Sequence, residues 1–96
     1  MPTIWTTEVF DAWFAGLHDV VAARRIQARI DRAALGNFGD CAPVGEGVSE
    51  MRIHLGPGYR VYFVQRGSAV VILLAGGDKS TQVRDIATAK ELARQL

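Results

Sequence analysis

Two short glycine breaks do most to limit what this chain can fold into. Gly56-Pro57-Gly58 and Gly67-Ser68 divide residues 48–76 into three stretches rich in β-branched and aliphatic residues. Connections of two or three residues join only neighbouring antiparallel strands, because a parallel crossover needs a dozen residues or more. The stretches 48–55, 59–66 and 69–76 are therefore expected to form an antiparallel meander. In the first of them Met51, Ile53 and Leu55 alternate with Glu50, Arg52 and His54, as in a strand with one face on a core. The third is apolar on both faces, as in a central strand covered on both sides.

The turns also set a register. Pairing Leu55 with Tyr59 puts His54 opposite Arg60 and Arg52 opposite Tyr62. Pairing Arg66 with Ala69 across a two-residue turn puts Arg60 opposite Ala75 and Tyr62 opposite Leu73. Arg52, His54, Arg60 and Tyr62 then share one face, and Met51, Ile53, Val61, Phe63, Ile72 and Leu74 form the face that receives helices. A bulge in the three-residue turn would shift this register.

Before the meander, residues 3–6 suit a short strand, and Val9, Phe10, Trp13, Phe14 and Leu17 recur at helical spacing after Thr6 or Thr7 as N-cap. Asp19 caps a second helix carrying Val20, Ile26, Ile30, Ala33 and Ala34, which stops at Gly36. Residues 36–47, with Pro43 and several glycines, are expected to be loop. Gly76-Gly77-Asp78 ends the third meander strand, and a last helix starts near Ser80 or Thr81 with Val83, Ile86, Ala87, Leu92 and Ala93 as its apolar stripe. The expected architecture is α+β, a small antiparallel sheet flanked by helices in the order β-α-α-β-β-β-α. With 96 residues, the chain is expected to form one domain, 1–96.

Composition narrows the function classes. No apolar run is long enough to span a bilayer, and the N-terminus carries no signal-peptide pattern, so a cytoplasmic protein without membrane contact is expected. The single cysteine, Cys41, excludes an internal disulfide and has no evident base. Residues 1–48 hold four Lys/Arg against six Asp/Glu, and residues 49–96 hold seven against four, so the net charge of +1 conceals a basic second half. Such a half suits an anionic partner such as RNA, although ordinary solvated surface has the same composition. No Cys/His cluster suits zinc, and Gly76-Gly77-Asp78-Lys79-Ser80 lacks the spacing of a phosphate loop, so neither metal nor cofactor is expected. His18 has no spaced partner.

The strand face is where chemistry is expected. His54 beside Arg60 would be disfavoured in its charged form, and a neutral imidazole near guanidinium groups is a workable general base. Arg52, Arg60, Lys79 and Arg84 are candidate phosphate contacts, with Lys79 just before the last helix and Arg84 in its first turn. Arg52, His54, Arg60, Tyr62 and Lys79 together suit attack of a ribose 2′-hydroxyl on its own phosphate, which needs a base, an acid and charge stabilisation. Each residue also has a plain structural reading: Arg52 with Glu50 could be a surface ion pair, and tyrosines are good strand formers.

Three blocks carry a resemblance. They are Pro43-Val44-Gly45-Glu46-Gly47-Val48-Ser49-Glu50-Met51-Arg52-Ile53; Gly56-Pro57-Gly58-Tyr59-Arg60-Val61-Tyr62-Phe63; and Leu73-Leu74-Ala75-Gly76-Gly77-Asp78-Lys79-Ser80-Thr81-Gln82, followed by Asp85-Ile86 with Ala89 and Lys90. In this order they resemble the RelE/ParE toxin superfamily, in the HigB-like branch often called addiction module killer proteins. The resemblance implies the RelE-like toxin fold and the toxin of a type II toxin–antitoxin system, a ribosome-dependent mRNA endoribonuclease that inhibits translation. It implies the ribosome and mRNA as targets and a cognate antitoxin with a helix-turn-helix DNA-binding domain as partner, operator DNA being reached only through that antitoxin. Arg60 matches a basic position of the family, Lys79 matches one before the last helix, and Arg52 and His54 match where turn lengths vary. The chain departs from some ribonuclease members in having no aromatic residue after Phe63. The superfamily also includes inhibitors of DNA gyrase, so a non-enzymatic gyrase poison, or a degenerate toxin kept as an antitoxin partner, are the alternatives.

Overall fold

A computed structural model describes residues 1–96. The elements are β1 (Thr3–Thr6), α1 (Glu8–Ala15), α2 (Val20–Ala34), β2 (Cys41–Gly45), β3 (Val48–Ile53), β4 (Tyr59–Arg66), β5 (Val70–Asp78), a 3-10 turn (Lys79–Thr81) and α3 (Gln82–Arg94). All five strands join one sheet in the order β1-β5-β4-β3-β2. β1 runs parallel to β5, and the other pairs are antiparallel. The fold is α+β, with one more strand than the sequence reading expected. No helix is long and apolar enough to cross a membrane.

The helices start where the sequence places their caps. The Thr7 hydroxyl accepts from the Phe10 amide and donates to the Leu74 carbonyl, fixing α1 to β5. Asp19 accepts from the Ala22 amide at the start of α2. Ala22, Ile26, Ile30 and Ala33 form the buried stripe of α2. With Phe10, the last three of these meet Met51, Ile53, Val61, Phe63, Val71 and Leu73 on one face of the sheet. Phe38, from the segment after α2, stacks on Phe63 at 5.3 Å between ring centroids. On the other face α3 contributes Ala89, with Ile86, Leu92 and Ala93 around it, against Val48, Tyr62, Val64, Ile72, Leu74 and Ala75.

Four expectations are corrected. First, Cys41–Gly45 is a strand rather than loop, paired with β3. It lies at the sheet edge, where the missing N–H of Pro43 costs little. Its turn uses positive φ at both Glu46 (55°) and Gly47 (79°), as in the mirror-image turns that suit hairpins.

Second, the turn after β4 spans Gly67 to Ala69, so Arg66 pairs with Val70. One extra residue reverses which face each β5 side chain occupies. Val71 and Leu73, not Ile72 and Leu74, therefore meet α1 and α2. A bulge at Leu74 then lets Tyr62 face Ala75 and Arg60 face Gly77.

Third, β5 runs through both glycines to Asp78. A Cβ on Gly76 would lie 2.1 Å from the Trp13 ring, and one on Gly77 would lie 1.8 Å from Asp85 Oδ2. The pair is there for close approach of a helix on each face, not to end the strand.

Fourth, the stripe of α3 is rotated from the expected one. Val83 is 86% exposed, whereas Asp85 is buried and bonded by the Thr81 hydroxyl.

Candidate functional site

β3 and β4 pair with Arg52 opposite Arg60, Ile53 opposite Tyr59 and Glu50 opposite Tyr62. The register differs from the expected one by two residues, which preserves faces but changes neighbours. Glu50, Arg52, Arg60 and Tyr62 do share a face. His54 leaves the ladder, because β3 ends at Ile53 and the chain turns through Gly56 (φ 55°) and Gly58 (φ 80°). The expected opposition of His54 and Arg60 is therefore replaced by opposition of two arginines, Arg52 and Arg60.

Two guanidinium groups side by side call for an anion between them, and Glu50 supplies it. Its Oε1 lies 3.0 Å from Arg52 Nε and 3.8 Å from Arg60 Nε, with side chains of Glu50 and Arg60 only 4% and 6% exposed. Gln82, at the start of α3, donates to both Glu50 oxygens at 3.2 and 2.9 Å. The hydrogen bond to Glu50 raises the Arg52 guanidinium above its ordinary value. Arg60 Nη1 donates to the carbonyls of Gly58 and Tyr59, both at 3.1 Å. Its buried Nε has no hydrogen-bond partner.

Tyr62 is corrected outright. It is fully buried under α3, and its hydroxyl has no partner. Burial, with the Glu50 and Asp85 charges beside it, pushes the phenol up to about 12. It belongs to the core of this face and does not reach a ligand in solution.

The accessible chemistry lies at the β3–β4 turn. His54, Leu55, Gly56, Pro57, Gly58, Arg60 and Lys79 line a shallow groove of about 270 Å³. Lys79 arrives because β5 runs past its glycines alongside Tyr59, so its side chain lies over Gly58; a Cβ there would be 3.3 Å from Lys79 Cγ and Cδ. Asp78 caps the 3-10 turn through the Ser80 amide and hydroxyl, and those bonds hold its carboxyl below the usual range. Lys79 makes no ion pair, and Arg60 only the long contact to Glu50, so the groove is cationic.

Of the sequence-predicted residues, the structure brings His54, Arg60 and Lys79 into this groove and places Arg52 next to Arg60. Arg84 lies apart, paired with Asp85 at 3.5 Å beside a second groove around the 3-10 turn, which Lys79 also lines. No group of three His, Cys, Asp or Glu could hold a metal ion.

The sequence reading missed Asp40 and gave Glu50 only as a surface ion-pair partner of Arg52. Asp40 Oδ2 is 2.5 Å from His54 Nε2. That hydrogen bond, more than any nearby charge, lowers the Asp40 carboxyl from its ordinary value. Glu50 shares its parity with Arg52 on β3, which is the signal that could have found it. Nothing local marks Asp40, which meets His54 only because β2 pairs with β3.

No protein-family model matches the chain, and no solved structure matches it. A Haemophilus influenzae protein of uncharacterised function is 50% identical over 93 residues, covering 97% of this chain and 94% of that protein. At such identity over nearly the full length of both, the chain belongs to one family with that Haemophilus influenzae protein.

Proposed function

We propose that the chain is a RelE-like toxin of the HigB-like branch, and that the groove at the β3–β4 turn cleaves messenger RNA by phosphoryl transfer. The observation that carries this reading is Arg60: a guanidinium more than nine-tenths buried, lining an open cationic groove, with its Nε left without a partner. That Nε is sealed from the groove with the Glu50 carboxylate 3.8 Å away, so an anion in the groove would meet the other donors of the guanidinium. Lys79 adds an exposed positive charge that can also donate a proton, and His54 adds an imidazole that can accept one.

The reaction follows from those groups. His54 takes the proton of a ribose 2′-hydroxyl, whose oxygen attacks the adjacent phosphorus. The bond to the 5′ oxygen breaks, and Lys79 supplies the proton that this leaving oxygen needs. Arg60 and Lys79 hold the extra negative charge of the transition state. The products are a 2′,3′-cyclic phosphate and a 5′-hydroxyl. Glu50 and the Gly58 and Tyr59 carbonyls keep Arg60 in place, Arg52 adds charge beside it, and Arg84 extends the phosphate track past the 3-10 turn. A groove this open suits a substrate presented by the ribosome, and the reading carries with it a cognate antitoxin that covers the site.

The test is cleavage of message on purified programmed ribosomes, with chemical analysis of the new ends. Cyclic phosphate and 5′-hydroxyl ends, formed by the parent chain and lost in Lys79→Ala, support the reading. Products with 5′-phosphate ends, or no products at all, contradict it. Absence of cleavage together with broken DNA in growth-arrested cells would move the target to gyrase.

A further inference from the structure

We propose that Asp40 is the positioning residue for His54, and that Arg29 of α2 holds Asp40 in place for that task. The inference rests on the phosphoryl-transfer reading of the groove and adds to it which imidazole nitrogen reacts.

The geometry begins in α2. Arg29 reaches out of the helix and donates to three carbonyls, those of Arg52 at 2.6 Å and of Phe38 and Asp40 at 3.2 Å each. It thereby ties the segment before β2 to the end of β3. The Arg52 amide donates to the Asp40 carbonyl at 2.9 Å, closing the same link from the backbone. Gly39, with φ of 64°, lets the chain pass under this guanidinium; a Cβ there would lie 2.9 Å from Arg29 Nη2. Burial lowers the Arg29 guanidinium from its usual value, but Asp40 and Cys41 act in the opposite sense. So three elements converge to fix one backbone position, and its side chain meets His54.

The chemistry follows from hydrogen-bond roles. The Asp40 carboxyl is held below its ordinary range by His54, with Arg52 (3.9 Å away) and Arg29 adding to the effect. An ionised carboxylate has only acceptors. His54 Nε2 must therefore carry the proton of that bond, and Nδ1 is the free nitrogen that takes the 2′-hydroxyl proton. An exposed pair of this kind contributes little to stability. Its value is orientation: the ring is turned toward the groove that Arg60 and Lys79 line, and the carboxylate compensates the imidazolium formed during the reaction.

The test uses Asp40→Asn, His54→Ala and the double variant, in two measurements. In the free protein, the Asp40 carboxyl followed by carbon NMR titrates below the usual carboxylate range, and moves up in His54→Ala. On programmed ribosomes, Asp40→Asn lowers the cleavage rate constant about 10- to 100-fold with little change in the half-saturating concentration, and adds nothing in the His54→Ala background. A purely structural Asp40 would lower cleavage in both backgrounds. An ordinary Asp40 titration, or an Asp40→Asn effect that persists without His54, overturns the inference. If the parent chain cuts nothing, the nuclease reading falls, while the titration still decides whether Asp40 and His54 form the pair.

Discussion

The two faces of the sheet are built on different principles. The face under α1 and α2 is dry: its ten-residue cluster runs from Phe10 to Leu73 with no charged member. The face under α3 has a comparable apolar patch around Tyr62 and Leu74, but beside it lie buried Glu50, Arg60 and Asp85. Apolar packing alone would serve stability at least as well as buried charge. The difference separates a face that holds the fold from one that also holds a guanidinium group at the edge of an open groove.

The comparison predicts distinct responses to substitution. On the dry face, Phe63→Ala should lose about 3–5 kcal/mol of unfolding free energy, since it empties a buried site stacked on Phe38. On the polar face, Glu50→Ala should cost a similar amount, about 3–5 kcal/mol, for a different reason: it leaves the buried Arg60 charge uncompensated. Urea unfolding measures both. A Glu50→Ala variant as stable as the parent would show that the buried charges are not coupled.

The double glycine sharpens the contrast between faces. Gly76→Ala drives a methyl group into the Trp13 ring, and Gly77→Ala drives one into the Asp85 carboxylate and Thr81 hydroxyl. Each should cost about 1–3 kcal/mol. Gly76→Ala should be relieved by Trp13→Leu, whereas Gly77→Ala should not. Relief of both by the same second change would contradict the two-sided account.

Tyr62→Phe removes a buried hydroxyl that has no partner, so it should leave stability unchanged or raise it by up to about 1 kcal/mol. Its effect should depend on pH in one direction. The Tyr62 phenol sits at about 12 in the folded chain, against about 10 when unfolded. Between those values the unfolded chain loses a proton that the folded chain keeps, so the parent loses stability as pH rises from 10 toward 12. Tyr62→Phe should lose less across that window. Equal losses in the two chains would contradict the burial of Tyr62.

Asp40, Glu46 and Asp78 have the opposite sign and the smallest effect. Their folded values lie below the ordinary carboxylate range, through hydrogen bonds with His54, Arg94 and Ser80 respectively. Their contributions are full above about pH 4 and fade as pH falls through the lowered values. Asp78→Asn should therefore flatten the acid limb of a stability-against-pH curve slightly, with its small loss relative to the parent fully present at pH 7 and vanishing in acid.

Much of this arrangement is legible in the sequence, and the rest is hidden for physical reasons. The Asp19 cap, the α1 cap to within one residue (Thr6 or Thr7), and most of the stripes of α1 and α2 follow from local rules, whereas Val9 and Val20, expected in those stripes, are exposed. So does the parity that puts Arg52, Arg60 and Tyr62 on one face, since a two-residue register error leaves parity intact. The one-residue error at Gly67–Ala69 did not, and it exchanged Val71 and Leu73 for Ile72 and Leu74. β2 was hidden because Pro43 and Gly45 mark loops everywhere except at an edge strand. Tyr62 was misplaced because strand parity says which face a residue occupies, but not whether a helix covers it. Asp40 was invisible because its contact with His54 spans 14 residues and depends on β2.

The central claim is that the groove lined by His54, Arg60 and Lys79 cuts RNA. Arg60 is a poor residue to test it with, since its loss strands Glu50. Lys79 is exposed and makes no ion pair, and Lys79→Ala should change stability by less than about 0.5 kcal/mol. The most direct measurement maps RNA 5′ ends in cells after brief induction of the parent chain or of Lys79→Ala. The account predicts new ends inside translated frames with the parent and none with the folded variant. Growth arrest without new ends, or the same ends from both chains, would contradict it.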